Sequence, residues 1–279
     1  MTAGLYLRRF WRSVHIVHDA TSRAARIPRS HNYPGFPDGI PGTALLERLR
    51  RQLEEVGGAL HQGEVTVLAR DHDQFSARIG DEVVRARSVV LATGQLDHVP
   101  EVEGIDAVRA RALLRQCPIC DGYEFTDRNI AVIGAGAHGM RECLFLCNYS
   151  TSVCLIEEQP ADEPDLVAVL EARGVERVHA RVQAASVTPD AKVELRLANG
   201  ASRAFDVVYS ALGATPRSAL ARMAGADLDP QGCVVVDTHC ESSVPGLYAA
   251  GDVVSGLDQI AVAVGHAAIA ATAIHNRLR

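Results

Sequence analysis

An α/β fold of two related units is what this sequence predicts, and three observations predict it. An apolar run, Ile130-Ala131-Val132-Ile133, feeds a glycine turn (Gly134, Gly136, Gly139), a helix-patterned stretch and a second apolar run ending in Glu157. Two distant segments, Ser88 to Gly94 and Val207 to Gly213, share one ending, a buried strand delivered into a glycine. At 279 residues and 47% hydrophobic content, the chain is long enough for two cores.

Taken in order, Met1 to Trp11 reads as a helix, with Leu5, Tyr6 and Phe10 as its apolar stripe beside Arg8, Arg9 and Arg12. A strand follows at Val14 to Val17, leading to His18 and Asp19. The loop from Arg29 is dense in Pro and Gly and so holds a fixed, non-repetitive path. Thr43 is the expected N-cap of a helix over Ala44 to Val56. Short antiparallel strands are expected at Glu64 to Leu68, Gln74 to Ile79 and Glu82 to Ala86. Val99 to Leu114 links to the central segment. There, Ile130 to Ile133 is apolar on both faces, as a buried parallel strand requires. Met140 to Asn148 carries Met140, Cys143, Leu144 and Cys147 at helical spacing, and Ser152 to Ile156 is the second strand. A helix at Pro164 to Arg173 and strands at Arg181 to Ala185 and Val193 to Leu197 precede Val207 to Gly213. Gly246 to Asp252 is a last buried strand, and Ile260 to Arg279 a final helix of small residues.

Two devices in the central segment carry chemistry. Strand, glycine turn, helix, strand and acid within about 30 residues form a cradle for a pyrophosphate at a helix N-terminus, with Glu157 placed for ribose hydroxyls. Gly134, Gly136 and Gly139 let the backbone approach; a glycine-tolerant turn without ligand is the plainer alternative. The second device is Cys117-Pro118-Ile119-Cys120, followed by Asp121. Two cysteines so spaced reach disulfide geometry across one turn, and a helix start there lowers a thiol pKa. Only the thiolate attacks, so one cysteine becomes a nucleophile and Asp121 a neighbouring proton carrier. The same pair could be half a zinc site, which needs two further ligands, or inert packing. Gly251-Asp252, closing a buried strand, suits a ribityl hydroxyl.

Net charge is −6, with no long basic block, so nucleic acid is not implied. No apolar run approaches a membrane span. Seven cysteines, an odd count without a secretory leader, favour a reducing cytoplasm. Cys143, Cys147, Cys154, Cys233 and Cys240 read as small core hydrophobes. The histidines show no metal spacing.

The sequence Cys117-Pro118-Ile119-Cys120-Asp121-Gly122-Tyr123, the AVIGAG turn, the ATG at Ala92 to Gly94 and the AAGD at Ala249 to Asp252 resemble, in order and spacing, the low-molecular-weight thioredoxin reductase family. The resemblance spans essentially the whole chain. It implies two Rossmann-like, three-layer ββα dinucleotide-binding domains, the second inserted into the first: an FAD-binding domain over 1–98 and 218–279, and an NAD(P)-binding domain over 99–217 carrying the cysteine pair. It implies a flavoprotein oxidoreductase that passes electrons from NAD(P)H through FAD and the redox-active disulfide to a thioredoxin-like protein or small disulfide substrate, commonly as a homodimer. Cys120 would face the flavin, Cys117 would attack the substrate, and Asp121 would donate the proton. Asp252 would hold the ribityl chain; Gln259, Ile260 and Ala261 would lie near the flavin ring, with Asn32, Thr93, Gly94 and Gly251 at other flavin-side positions. Asp19 (or His18, one residue away) would sit at the adenosine ribose.

Two departures from the family pattern stand out. Where family members carry a His-Arg-Arg cluster that grips the 2′-phosphate of NADPH, this chain has Glu157, Glu158 and Gln159. At roughly 4 Å and an effective dielectric of about 20, such a contact changes sign by several kcal/mol, so NADH is expected over NADPH. The family's initial strand and glycine turn are also missing before the first helix. The expectation is a sequence truncated at its N-terminus, with weak FAD binding if it is complete as written. Two other functions stay open: a flavin-dependent dithiol oxidase using oxygen, and a non-catalytic nucleotide-binding remnant.

Overall fold

The computed structural model describes residues 1–279 as two compact units. One is Asp97–Ala214; the other joins Met1–Leu96 to Thr215–Arg279.

The Asp97–Ala214 unit is an α/β sandwich in three layers. Its elements are α1 (Ile105–Ala110), β1 (Leu114–Arg115), α2 (Pro118–Asp121), β2 (Ile130–Gly134), α3 (Gly136–Leu146), β3 (Val153–Glu157), α4 (Pro164–Ala172), β4 (Glu176–His179), β5 (Val182–Val187), β6 (Val193–Leu197), β7 (Ser202–Phe205) and β8 (Val207–Ala211). The five-stranded sheet is parallel, in the order β4-β3-β2-β8-β1. Every residue of β2, β3 and β8 is buried, because both sheet faces are covered. Alternation divides the side chains between two cores. Ile130, Val132, Val153, Leu155, Val207 and Tyr209 meet Met140, Cys143, Leu146 and Leu170 of the helices. Ala131, Ile133, Ile156 and Val208 face Val182, Leu195 and Phe205 of the antiparallel β5-β6-β7 meander.

The other unit is assembled from both ends of the chain. Helix Thr2–Arg9 shares an apolar cluster with helix Ile260–Arg277, through Leu7, Ala270, Ala271 and Ile274. The small residues expected of the last helix are what the close approach of two helices uses. Ile16–His18 pairs in parallel with Leu60–Gln62, and Val89–Leu91 with Leu247–Ala249. These are separate two-stranded ribbons, and Ile16, Val17, Val89 and Val90 are only half-buried. Strands Val65–Asp71, Gln74–Ile79 and Glu82–Ala86 form an antiparallel meander whose Leu68 and Phe75 join Leu91, Leu247 and Val253 in a third core.

Several element boundaries differ from expectation. The helix expected from Ala44 starts at Gly42, so Thr43 lies inside it and Pro41 is its cap. Gly42 sits where any Cβ would strike the carbonyl of Ala24, which fixes glycine at that corner. The helix expected at Met140 to Asn148 starts earlier, at Gly136, directly on the glycine turn. Strands Glu176–His179 and Ser202–Phe205 and helices Ile105–Ala110 and Ala219–Met223 lie in segments read as connections. They are short, and their half-exposed residues carry little apolar periodicity. No helix is long and apolar enough to cross a membrane.

Candidate active site

Cys117 and Cys120 are joined as a disulfide, with Cα atoms 5.3 Å apart. The local sequence explains the turn. Pro118 opens α2 at a position where no backbone N–H is needed, and the Cys120 N–H donates to the Cys117 carbonyl at 3.0 Å. This helix is one turn of four residues, shorter than the sequence argument about thiol acidity assumed. The other five cysteines are free. Burial pushes the Cys143 thiol well up and that of Cys154 to about 11, so neither competes as a nucleophile.

Asp121 follows Cys120 and is largely buried. Its Oδ1 accepts from the Tyr209 hydroxyl at 2.7 Å, and its Oδ2 meets Arg115 Nη1 at 3.1 Å. Burial pushes its carboxyl above the ordinary range, against the pull of Arg115 and the Tyr209 hydrogen bond. Sequence reading singled out neither Arg115 nor Tyr209. The one available signal was a tyrosine inside an otherwise aliphatic buried strand, where its hydroxyl must find a partner.

The glycine turn is a close contact between strand and helix. A Cβ on Gly139 would stand 2.8 Å from the Gly134 Cα, while Gly136 adopts φ +57° with open space beyond it. His138 on α3 pairs with Glu142 at 3.2 Å, and that bond raises its pKa. Glu157 ends β3 at 1% exposure, and its Oε1 takes Arg177 Nε at 2.9 Å and Nη2 at 2.6 Å. His179 Nδ1 lies 3.3 Å from the same oxygen. Glu157 is an unopposed negative charge in the sequence, but Arg177 of the neighbouring strand β4 pairs with it and His179 lies beside it. Glu158 is exposed. Glu157 Oε2 is buried without a protein partner, an acceptor suited to a ribose hydroxyl, so these residues fit a dinucleotide.

In the two-segment unit, the expected flavin-side residues form two groups. Asn32 Nδ2 donates to Gln259 Oε1 at 2.8 Å, and Gln259 caps the helix that begins with Ile260 and Ala261. Asp252 binds Arg23 Nη1 at 2.8 Å, and its backbone carbonyl accepts from Gln95 Nε2 at 2.7 Å. Gly251 adopts φ +77°, and a Cβ there would press on Ala263 of that helix at 3.2 Å. Elsewhere in the unit, Asp19 Oδ2 binds Arg217 Nη2 at 2.6 Å and Thr21 Oγ1 at 2.7 Å. Thr93 Oγ1 donates to the Arg217 carbonyl at 2.6 Å, beside Gly94 at φ +68°. Thr21 and then Arg217 hold the Asp19 carboxyl far below the usual range. Arg23 and Arg217 were not foreseen. Two guanidiniums beside two carboxylates, with Gly94 and Gly251 at positive φ, suit a ligand bearing both hydroxyls and phosphates, as FAD does.

Comparison with known proteins agrees with this chemistry. Residues 1–267 match the pyridine nucleotide-disulphide oxidoreductase family. The thioredoxin reductase of Mycolicibacterium smegmatis is 32% identical over 80% of this chain and 74% of its own length. The bifunctional thioredoxin reductase/thioredoxin of Mycobacterium leprae is 30% identical over 91% of this chain, which spans 57% of that protein. Among solved structures, the thioredoxin reductase of Streptococcus pyogenes superposes with a TM-score of 0.92 at 27% identity, covering 99% of this chain and 94% of that one. A disulfide of C-x-x-C spacing beside a buried acid, in an α/β unit with a glycine turn, and these likenesses place the chain in the pyridine nucleotide-disulphide oxidoreductase family, among its thioredoxin reductase-like disulfide oxidoreductases.

Proposed function

We propose that this chain is an FAD-dependent disulfide reductase of thioredoxin reductase type: FAD, when bound, would supply the two-electron chemistry that links NAD(P)H to Cys117/Cys120, and a thioredoxin-like protein or small disulfide is the acceptor. The observation that carries the reading is the Cys117–Cys120 disulfide with the buried Asp121 beside it. Residues 97–214 would be the nucleotide unit, holding NAD(P)H at Gly134, Gly136, Gly139 and Glu157. The two-segment unit would hold FAD through Asp19, Asn32, Thr93, Gly94, Gly251, Asp252 and Gln259 to Ala261.

The chain's own residues perform the exchange. The Cys117 thiolate attacks one sulfur of the substrate disulfide, that bond breaks, and the departing thiolate takes a proton from Asp121. Cys120 gives its proton to the Asp121 carboxylate and attacks Cys117 Sγ; the Cys117–Cys120 bond re-forms, the mixed disulfide breaks, and the second substrate sulfur leaves as a thiolate that takes the proton from Asp121. Two electrons and two protons pass to the substrate.

NADH is the proposed donor, on a narrower basis than before. Arg177 offsets the charge of Glu157, so the exposed Glu158 and the free Glu157 Oε2 carry the preference. The test is anaerobic titration of the FAD-loaded chain with NADH and then NADPH, followed by addition of thioredoxin or an aromatic disulfide. Reduction by NADH, abolished in Cys120→Ser, is expected. Failure of both nicotinamides to open the disulfide would overturn the reading. Oxygen uptake with a dithiol alone would favour the oxidase direction instead. A homodimer in the cytoplasm is the proposed setting, and sedimentation checks the former.

A further inference from the structure

Two largely buried polar side chains around Asp121, Arg115 and Tyr209, are not among the residues that the sequence singled out. Arg115 and Tyr209 are register partners on the parallel strands β1 and β8, so their backbones hold them side by side. Each meets a different oxygen of Asp121: the Tyr209 hydroxyl donates to Oδ1, and Arg115 Nη1 forms an ion pair with Oδ2. Phe125 packs the pair in place: its ring meets Tyr209 edge-on at 6.2 Å, and the Arg115 guanidinium lies over it at 5.4 Å. Arg115 Nε is buried without a protein partner, and the guanidinium pairs with Asp121 through Nη1. The remaining charge that acts on Asp121 is Glu124, on the turn after α2, and it favours the protonated form.

Each oxygen of the Asp121 carboxylate therefore faces one partner from the sheet. A carboxylate so held cannot swing freely, and its ionised form is the one both donors stabilise. The geometry points to Arg115 and Tyr209 as positioning residues that keep Asp121 charged and fixed while the Cys117–Cys120 bond is closed, and so set the pH at which the cysteine pair opens. This rests on the reading of Asp121 as the proton carrier. Arg115 acts by charge, and Tyr209 by a neutral hydrogen bond inside a dry strand, where burial raises its own pKa out of reach of catalysis.

The test uses the purified chain and dithiothreitol, and needs no nicotinamide. A dithiothreitol thiolate attacks one sulfur of the Cys117–Cys120 bond, that bond breaks, and the other cysteine leaves as a thiolate that takes a proton from Asp121. The reductant's second thiolate then attacks the mixed disulfide, closes its own ring and frees the first cysteine. Two electrons and two protons move to the pair. Samples are quenched by alkylation and the opened pair is counted by mass. The rate, divided by the reductant's thiolate fraction and by each variant's plateau, falls as pH rises through the Asp121 titration.

Tyr209→Phe and Arg115→Gln each remove a stabiliser of the charged form, so this limb is expected to move to higher pH, further for Arg115→Gln. One pH unit above the wild-type midpoint, the normalised rate is expected to rise about threefold or more. Arg115→Lys, which restores the charge, is expected to return most of the limb. A merely structural role lowers melting temperature and leaves the limb in place. If Asp121→Asn erases the limb while Tyr209→Phe and Arg115→Gln superimpose on wild type, the positioning role is overturned and the proton carrier stands. If Asp121→Asn keeps the limb, the proton-carrier reading itself fails, and this inference with it.

Discussion

Replacing Arg177 by Met is expected to be strongly destabilising for the Asp97–Ala214 unit. Glu157 is 1% exposed, and Arg177 supplies two short hydrogen bonds to its Oε1 from a side chain itself 15% exposed. With Arg177 gone, the carboxylate keeps only His179 at 3.3 Å, from a side chain nearly half exposed. Removing one partner of a buried pair leaves an uncompensated charge in a low-dielectric site and costs about 3–5 kcal/mol. For a protein of this size, that is a drop of about 10 °C in melting temperature. The pair itself contributes far less than this figure, because desolvation of both ions opposes their attraction. Removing both charges in Glu157→Leu/Arg177→Met is therefore expected to restore stability to within about 1 kcal/mol of wild type. Thermal melts and urea denaturation of wild type, both single variants and the double variant form the cycle. A loss below about 1 kcal/mol in Arg177→Met, or single-variant losses that simply add in the double variant, would refute the reasoning.

Gly139→Ala places a Cβ 2.8 Å from backbone at Gly134, which cannot yield as a side-chain tip can; a loss of about 1–3 kcal/mol and weaker nucleotide binding are expected, read by thermal melts and equilibrium dialysis. Burial pushes all five free thiols up, but only Cys147 is half-buried, so native alkylation at pH 8 should modify it ahead of Cys143, Cys154, Cys233 and Cys240; reduction should then add two labels, at Cys117 and Cys120, counted by mass. Asp19 has a lowered folded-state pKa, so its contribution to stability is present above the ordinary carboxylate value and is lost as pH falls below it. Because the Asp19–Arg217 pair is partly exposed, Arg217→Met should cost only about 0.2–1 kcal/mol near neutral pH, and urea melts below about pH 3 should show the difference shrinking.

What the sequence determined here is whatever depends on short-range pattern. The doubly apolar Ile130 to Ile133 and Ser152 to Ile156 could only be strands covered on both sides. Gly134, Gly136 and Gly139 marked the strand-to-helix turn because the backbones at Gly134 and Gly139 approach too closely for a Cβ and Gly136 takes a positive φ. The spacing of Cys117 and Cys120 made a one-turn disulfide feasible before any coordinates existed. Tertiary structure alone decided what each of these charged groups faces. Glu157 reads as a bare acid in sequence, yet the parallel register Glu157↔His179 brings β4 beside it and supplies Arg177 and His179. Asp121 reads as a lone proton carrier, yet the pairing of β1 with β8 joins Arg115 to Tyr209, 94 positions away in number, across its carboxylate. Asp19 and Asp252 likewise gain Arg217 and Arg23 from distant segments. The physical reason is common to all four: apolar periodicity is written along the chain, whereas an ion pair depends on which strand lies next to which, and that is settled only when the sheet closes.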